Sequence, residues 1–69
     1  MKKETIIAEN EDKTEKILIR DEGLFAVVLQ QTLPNGRTSE KNLEYRFTPE
    51  EAEKCAEEIA FILFQELKL

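Results

Sequence analysis

A chain of 69 residues with 41% hydrophobic and 36% charged side chains is too apolar for a disordered tail and too charged for a membrane protein. Its net charge of −5 makes phosphate backbones and anionic lipids poor partners. The absence of histidine excludes histidine-based triads, imidazole acid–base chemistry and the common zinc sites.

One domain is expected over residues 1–69. A single core of this size leaves only a few kcal/mol once conformational entropy of ~1.5 kcal/mol per residue is subtracted, so extra burial against a partner or a second copy is expected. Cys55 is the single cysteine and cannot form an internal disulfide. Neither a signal-peptide core nor a membrane-length apolar run is present, which points to a reducing, cytoplasmic setting and no membrane association.

In chain order, ETIIAE reads as a short strand, followed by the polar turn cluster NEDKTE. KILIR alternates, with Ile17 and Ile19 on one side and Leu18 on the other, and Gly23 ends it as the residue suited to a positive φ. LFAVVLQQTL is apolar on both faces: Phe25, Val27 and Leu29 on one, Leu24, Ala26 and Val28 on the other. A strand of this kind is central and covered twice, or it covers something else. Its outer face, with Leu18 and Val28, is either a second interface or an edge of the core.

In LPNGRT, Pro34, Asn35 and Gly36 match the three-residue hairpin loop built from a type I turn and a left-handed glycine. The strand after it, SEKNLEYRF, is expected to point Leu43, Tyr45 and Phe47 to the core and Glu40, Asn42, Glu44 and Arg46 outward. A helix then begins. Thr48 caps it, Pro49 takes the first helical position, Glu51 completes a Thr-x-x-Glu capping box, and Glu50, Glu51 and Glu53 complement the N-terminal dipole. The expected fold is α+β: a four-stranded antiparallel sheet with one C-terminal helix packed on it, β-β-β-β-α. Strand order is left open, a meander being the simplest arrangement.

The helix changes character along its length. At ~100° per residue, Ala52, Cys55, Ala56, Ile59, Ile62, Leu63 and Leu67 form the sheet-packing stripe, with Ile59 and Leu63 as anchors. Phe61 lies about 180° from Ala52, and Phe64 about 120° from it, both off the stripe. On the same outer faces the first half carries Glu50, Glu53 and Glu57. Phe61, Phe64, Ile62 and Leu69 are therefore the candidate interface residues, and a two-fold homodimer is the simplest cover for them. A different protein partner and curvature of the helix end are the alternatives.

Catalytic equipment is sparse, and no enzyme activity, metal site or cofactor is expected. Two glycines, Gly23 and Gly36, cannot supply a phosphate loop or dinucleotide fingerprint. Helical carboxylates such as Glu50, Glu53 and Glu57 read as a solvated face, NEDKTE lacks the spacing and glycine of a calcium loop, and Cys55 lacks a histidine to activate it.

Four strands followed by one helix, with RFTPEEAEKCAEEI at the strand-to-helix passage, resemble the PC4-like family of transcriptional coactivators and single-stranded DNA-binding proteins. The resemblance lies in the order of elements and implies a dimer with single-stranded nucleic acid on its sheets. Candidate contacts would be Lys16, Arg20, Lys41 and Arg46, which here are interleaved with Glu15, Asp21, Glu40 and Glu44. A third reading rests on charge. Residues 1–47 hold eight Lys/Arg against nine Asp/Glu, and residues 48–69 two against six, so the acidic helix suits a phage-type inhibitor that presents carboxylates to a host nucleic-acid enzyme.

Overall fold

The computed structural model describes residues 3–66, and over them the chain forms β1 (Lys3–Glu9), β2 (Glu15–Glu22), β3 (Leu24–Thr32), β4 (Thr38–Arg46) and α1 (Pro49–Glu66). The strands pair antiparallel in the order β1-β2-β3-β4, a meander, and α1 packs across one face. This is the α+β arrangement that the periodicity predicts.

Each turn follows from its local chemistry. Between β1 and β2 the Asn10 side-chain oxygen accepts from the amides of Thr14 and Glu15 at 2.9 and 3.1 Å, and its amide group donates to the Thr14 hydroxyl at 3.0 Å. Lys13 closes this turn at φ 60, a conformation that strains an L-residue. Between β3 and β4 the Gly36 amide donates to the Leu33 carbonyl at 2.9 Å and Gly36 adopts φ 87, the predicted Pro34-Asn35-Gly36 loop. The helix start is also as predicted: the Glu51 amide donates to Thr48 Oγ1 at 3.2 Å, and the Thr48 hydroxyl donates to Glu51 Oε1 at 3.0 Å.

The core between the layers is formed by Ile17, Ile19 and Val27 of the sheet and Ala52, Ala56 and Ala60 of the helix, with Ile7, Phe25, Leu29, Leu43, Ile59 and Phe64 packed around them. The alanines follow an i, i+4, i+8 row, and with no side chain beyond Cβ they let the helix lie close to the strands. That row advances about 40° per step, so the buried line drifts around the helix and reaches Phe64. The expected stripe is corrected accordingly: Phe64 packs against the core, whereas Ile62 and Leu63 lift away from it.

Both edge strands carry a bulge. In β1 the register shifts between Ile6 and Ala8, setting Ile7 and Ala8 together on the helix side; in β4 it shifts where Val27 pairs Glu44 and Val28 pairs Asn42, leaving Leu43 as the extra residue. The second bulge overturns the simple alternation expected of β4. Leu43 stays in the core, but Tyr45 pairs with Ala26 on the opposite face and is 50% exposed, with its hydroxyl accepting from Asn42 Nδ2 at 2.6 Å. Phe47, just past the strand, is 81% exposed rather than buried.

The sheet face away from α1 holds its own buried cluster, Leu18, Ala26 and Val28. No described element packs over it. Its cover is a polar bridge that touches every strand. Arg20 of β2 donates from Nε to Glu4 of β1 at 2.7 Å and from both terminal nitrogens to Glu40 of β4 at 3.0 and 2.8 Å, while Gln30 of β3 donates to Glu40 at 2.9 Å. Because β3 lies between β2 and β4, the Arg20–Glu40 pair passes over β3, and the Arg20 side chain is left only 14% exposed. Its hydrogen bonds to Glu40 and then Glu4 hold its pKa above the ordinary arginine value. By linkage this contribution is fully present below that ordinary value, so it does not vary across physiological pH.

Removing the bridge uncovers the cluster and leaves two carboxylates without their shared cation. Arg20→Ala is expected to lower stability by about 1–2 kcal/mol in urea denaturation, the solvent exposure of Glu4 and Glu40 screening the pairs, with a much smaller change for Arg46→Ala on the exposed edge. Lys13→Gly, which relieves the positive φ, is expected to raise it by about 0.5–1 kcal/mol.

Candidate interaction surface

The second half of α1 presents the largest exposed apolar side chains of the helix. Phe61 is 66% exposed and Ile62 56%, with Leu63 beside them. Sequence periodicity correctly sets Phe61 away from the sheet. It misses the exposure of Leu63, because that depends on the drift of the alanine row. Leu69 lies outside the described residues. Phe64, turned toward the core, contributes less surface than its position off the predicted stripe implies.

This patch does not stop at the helix. A shallow groove of about 280 Å³ runs between α1 and β4, lined by Ile59, Ile62 and Leu63 on one side and Leu43 and Glu44 on the other. The apolar surface thus continues from Phe61 across Ile62 to an edge strand. Outward of it, Lys54, Glu57 and Glu58 border a second shallow hollow with Phe61 and Ile62, so charges of both signs rim the patch.

The four candidate nucleic-acid contacts are not brought together. Lys16 and Arg20 lie on the open sheet face, while Lys41 and Arg46 pair in register with Leu29 and Phe25 on the helix side. Three of the four stand beside carboxylates: Arg20 between Glu4 and Glu40, Arg46 2.8 Å from Glu44, and Lys16 3.9 Å from Glu9. The hydrogen bond that Arg46 donates to Glu44 holds the Arg46 pKa above its usual value. A groove that tracks a phosphate backbone needs cations on one surface that are free to engage it, and here they are divided between the two faces, with three of the four engaged by carboxylates.

Two outward aromatics, Tyr45 and Phe47, are functional candidates that strand alternation conceals, because the β4 bulge that turns Tyr45 outward leaves no mark in the hydrophobic pattern. Cys55 is half-buried against the core and shares a shallow hollow with Arg46, Glu51, Lys54 and Glu58, and the chain has no histidine to activate it. Among the described residues no group of three or more His, Cys, Asp or Glu is placed to hold a metal ion, and no helix is long and apolar enough to cross a membrane. No family model, curated protein or solved structure matches the chain.

The two sides of α1 should respond oppositely to substitution. Ala56→Leu forces three extra carbons into a closely packed layer and is expected to cost about 1–3 kcal/mol. Ile62→Ser, at low protein concentration, is expected to cost no more than about 0.5 kcal/mol. Urea denaturation of both variants checks the contrast.

Proposed function

We propose that this protein is a small cytoplasmic interaction module that acts by binding rather than catalysis, and that it self-associates as a homodimer through the second half of α1. The observation that carries the reading is the adjacent exposure of Phe61 and Ile62 and the continuation of their surface through Leu63 to Leu43 at the β4 edge.

A two-fold contact is the economical way to cover such a patch, since each ring and aliphatic side chain then meets its own image. Burying a side chain of this size is worth about 1.5–3 kcal/mol relative to exposure, and both copies gain it. That is a large increment beside the few kcal/mol available to a domain of this length. Lys54 at the rim gives each copy a cation to set against the Glu44, Glu57 and Glu58 carboxylates of the other.

Light scattering after size exclusion, over a concentration series, tests this directly. The expected result is a dimer whose dissociation constant rises at least 100-fold in Phe61→Glu, corresponding to about 3 kcal/mol for loss of a central anchor, while Glu50→Gln leaves the mass unchanged. A wild-type chain that stays monomeric at every concentration overturns the reading.

A further inference from the structure

The charges around the α1 patch are unequal. Lys54, Glu57 and Glu58 border the hollow beside Phe61 and Ile62, and Glu44 borders the groove that carries the patch to β4. Behind them, Arg46 of β4 and Glu51, Lys54 and Glu58 of α1 share the hollow around Cys55. Arg46 is engaged by Glu44 at 2.8 Å, and Glu51 accepts from the Thr48 hydroxyl in the helix cap. Among the described residues, Lys54, Glu57 and Glu58 form no ion pair. The border of the patch therefore holds one unpaired cation against two unpaired carboxylates.

A two-fold contact doubles that inequality. Glu57 and Glu58 stand one turn before Phe61 and Ile62 on the same side of the helix, and side chains near a two-fold axis meet their own images. Covering Phe61 and Ile62 with a second copy thus brings two carboxylates and one ammonium group from each chain to one junction. Lys54 of each copy offsets one carboxylate of the other, and carboxylate remains in excess. Each chain also carries its net charge of −5 into the encounter, a repulsion that acts before the surfaces touch. Sodium chloride screens repulsion between exposed charges, whereas apolar burial responds chiefly to strongly excluded salts such as sulfate.

We propose that self-association through α1 is regulated by ionic strength: Glu57 and Glu58 oppose the contact that Phe61 and Ile62 drive, Lys54 is the cation that partly offsets them, and added salt favours the dimer. This rests on the two-fold reading of the α1 patch given above. The sign of the salt response is diagnostic. Screening weakens a junction held by attraction between Lys54 and the carboxylates, and it strengthens one in which the carboxylates prevail.

Sedimentation equilibrium of the full chain, in sodium chloride from about 10 mM to about 150 mM, over which the Debye length falls from about 30 to about 8 Å, tests the proposal. The dimer dissociation constant is expected to fall about fivefold across that range, the size that screening of a few exposed charge pairs supplies. Glu57→Gln with Glu58→Gln, which keeps side-chain size and helix propensity, should tighten the dimer about tenfold at the lowest salt and flatten the response. Lys54→Gln should loosen it about threefold and steepen the response. Glu11→Gln with Asp12→Asn removes the same charge from the β1–β2 turn, outside these hollows, and should change the constant less than about twofold. A dimer whose constant is unchanged or raised by salt overturns the proposal and leaves the two-fold reading standing, as does equal tightening by the turn variant. A wild-type chain that stays monomeric at every salt concentration overturns both.

Discussion

The middle strands of this sheet are apolar on both faces, and a single helix covers only one of them. Everything else in the architecture answers that constraint. On one side the Ala52, Ala56 and Ala60 row brings α1 close enough to seal Ile17, Ile19 and Val27. On the other, Leu18, Ala26 and Val28 are sealed by the side chains of the sheet itself, with Arg20 reaching to both outer strands. A guanidinium can be drawn down onto apolar surface only if its donors are satisfied there. The carboxylates of Glu4 and Glu40 satisfy them, and so the same bridge that covers the second face also ties β1 and β4 to the centre.

Much of this was legible in the chain. The strand and helix assignments, the Pro34-Asn35-Gly36 loop and the Thr48 cap rest on local chemistry, and local chemistry is what a sequence displays. The two-sided apolar pattern of β3 marks a second face that needs cover, and Leu18, Ala26 and Val28 form a cluster there. What covers the second face was not legible, because Glu4, Arg20 and Glu40 are far apart in sequence and acquire a common location only through the meander. The same holds for Tyr45. A period of two carries it to the core with Leu43, and one unpaired residue in β4 reverses it. The helix stripe failed more gradually: its first turns were placed correctly, and the error grew toward Phe64 as the contact line drifted around the axis.

These features divide the exposed apolar surface into two parts. The helix patch around Phe61 is rimmed by Lys54 and by the carboxylates of Glu44, Glu57 and Glu58. The exposed side chains of Leu24, Tyr45 and Phe47 stand apart from it, at the end of the sheet where β3 begins and β4 finishes. The surfaces lie on opposite faces of the sheet, so occupation of one leaves the other accessible. A dimer joined through its helices would then display two open sheet faces directed away from the junction.

The bulges in β1 and β4 have a further effect. The outermost strands of a meander offer backbone groups that invite another strand, and repeated addition of that kind produces fibrils. With two adjacent side chains on one side of each outer strand, the regular spacing of donors and acceptors is broken near its middle. An incoming strand can match the ladder only over a few residues before losing step. The bulges thereby shorten the stretch of each outer strand on which an open-ended ladder could form.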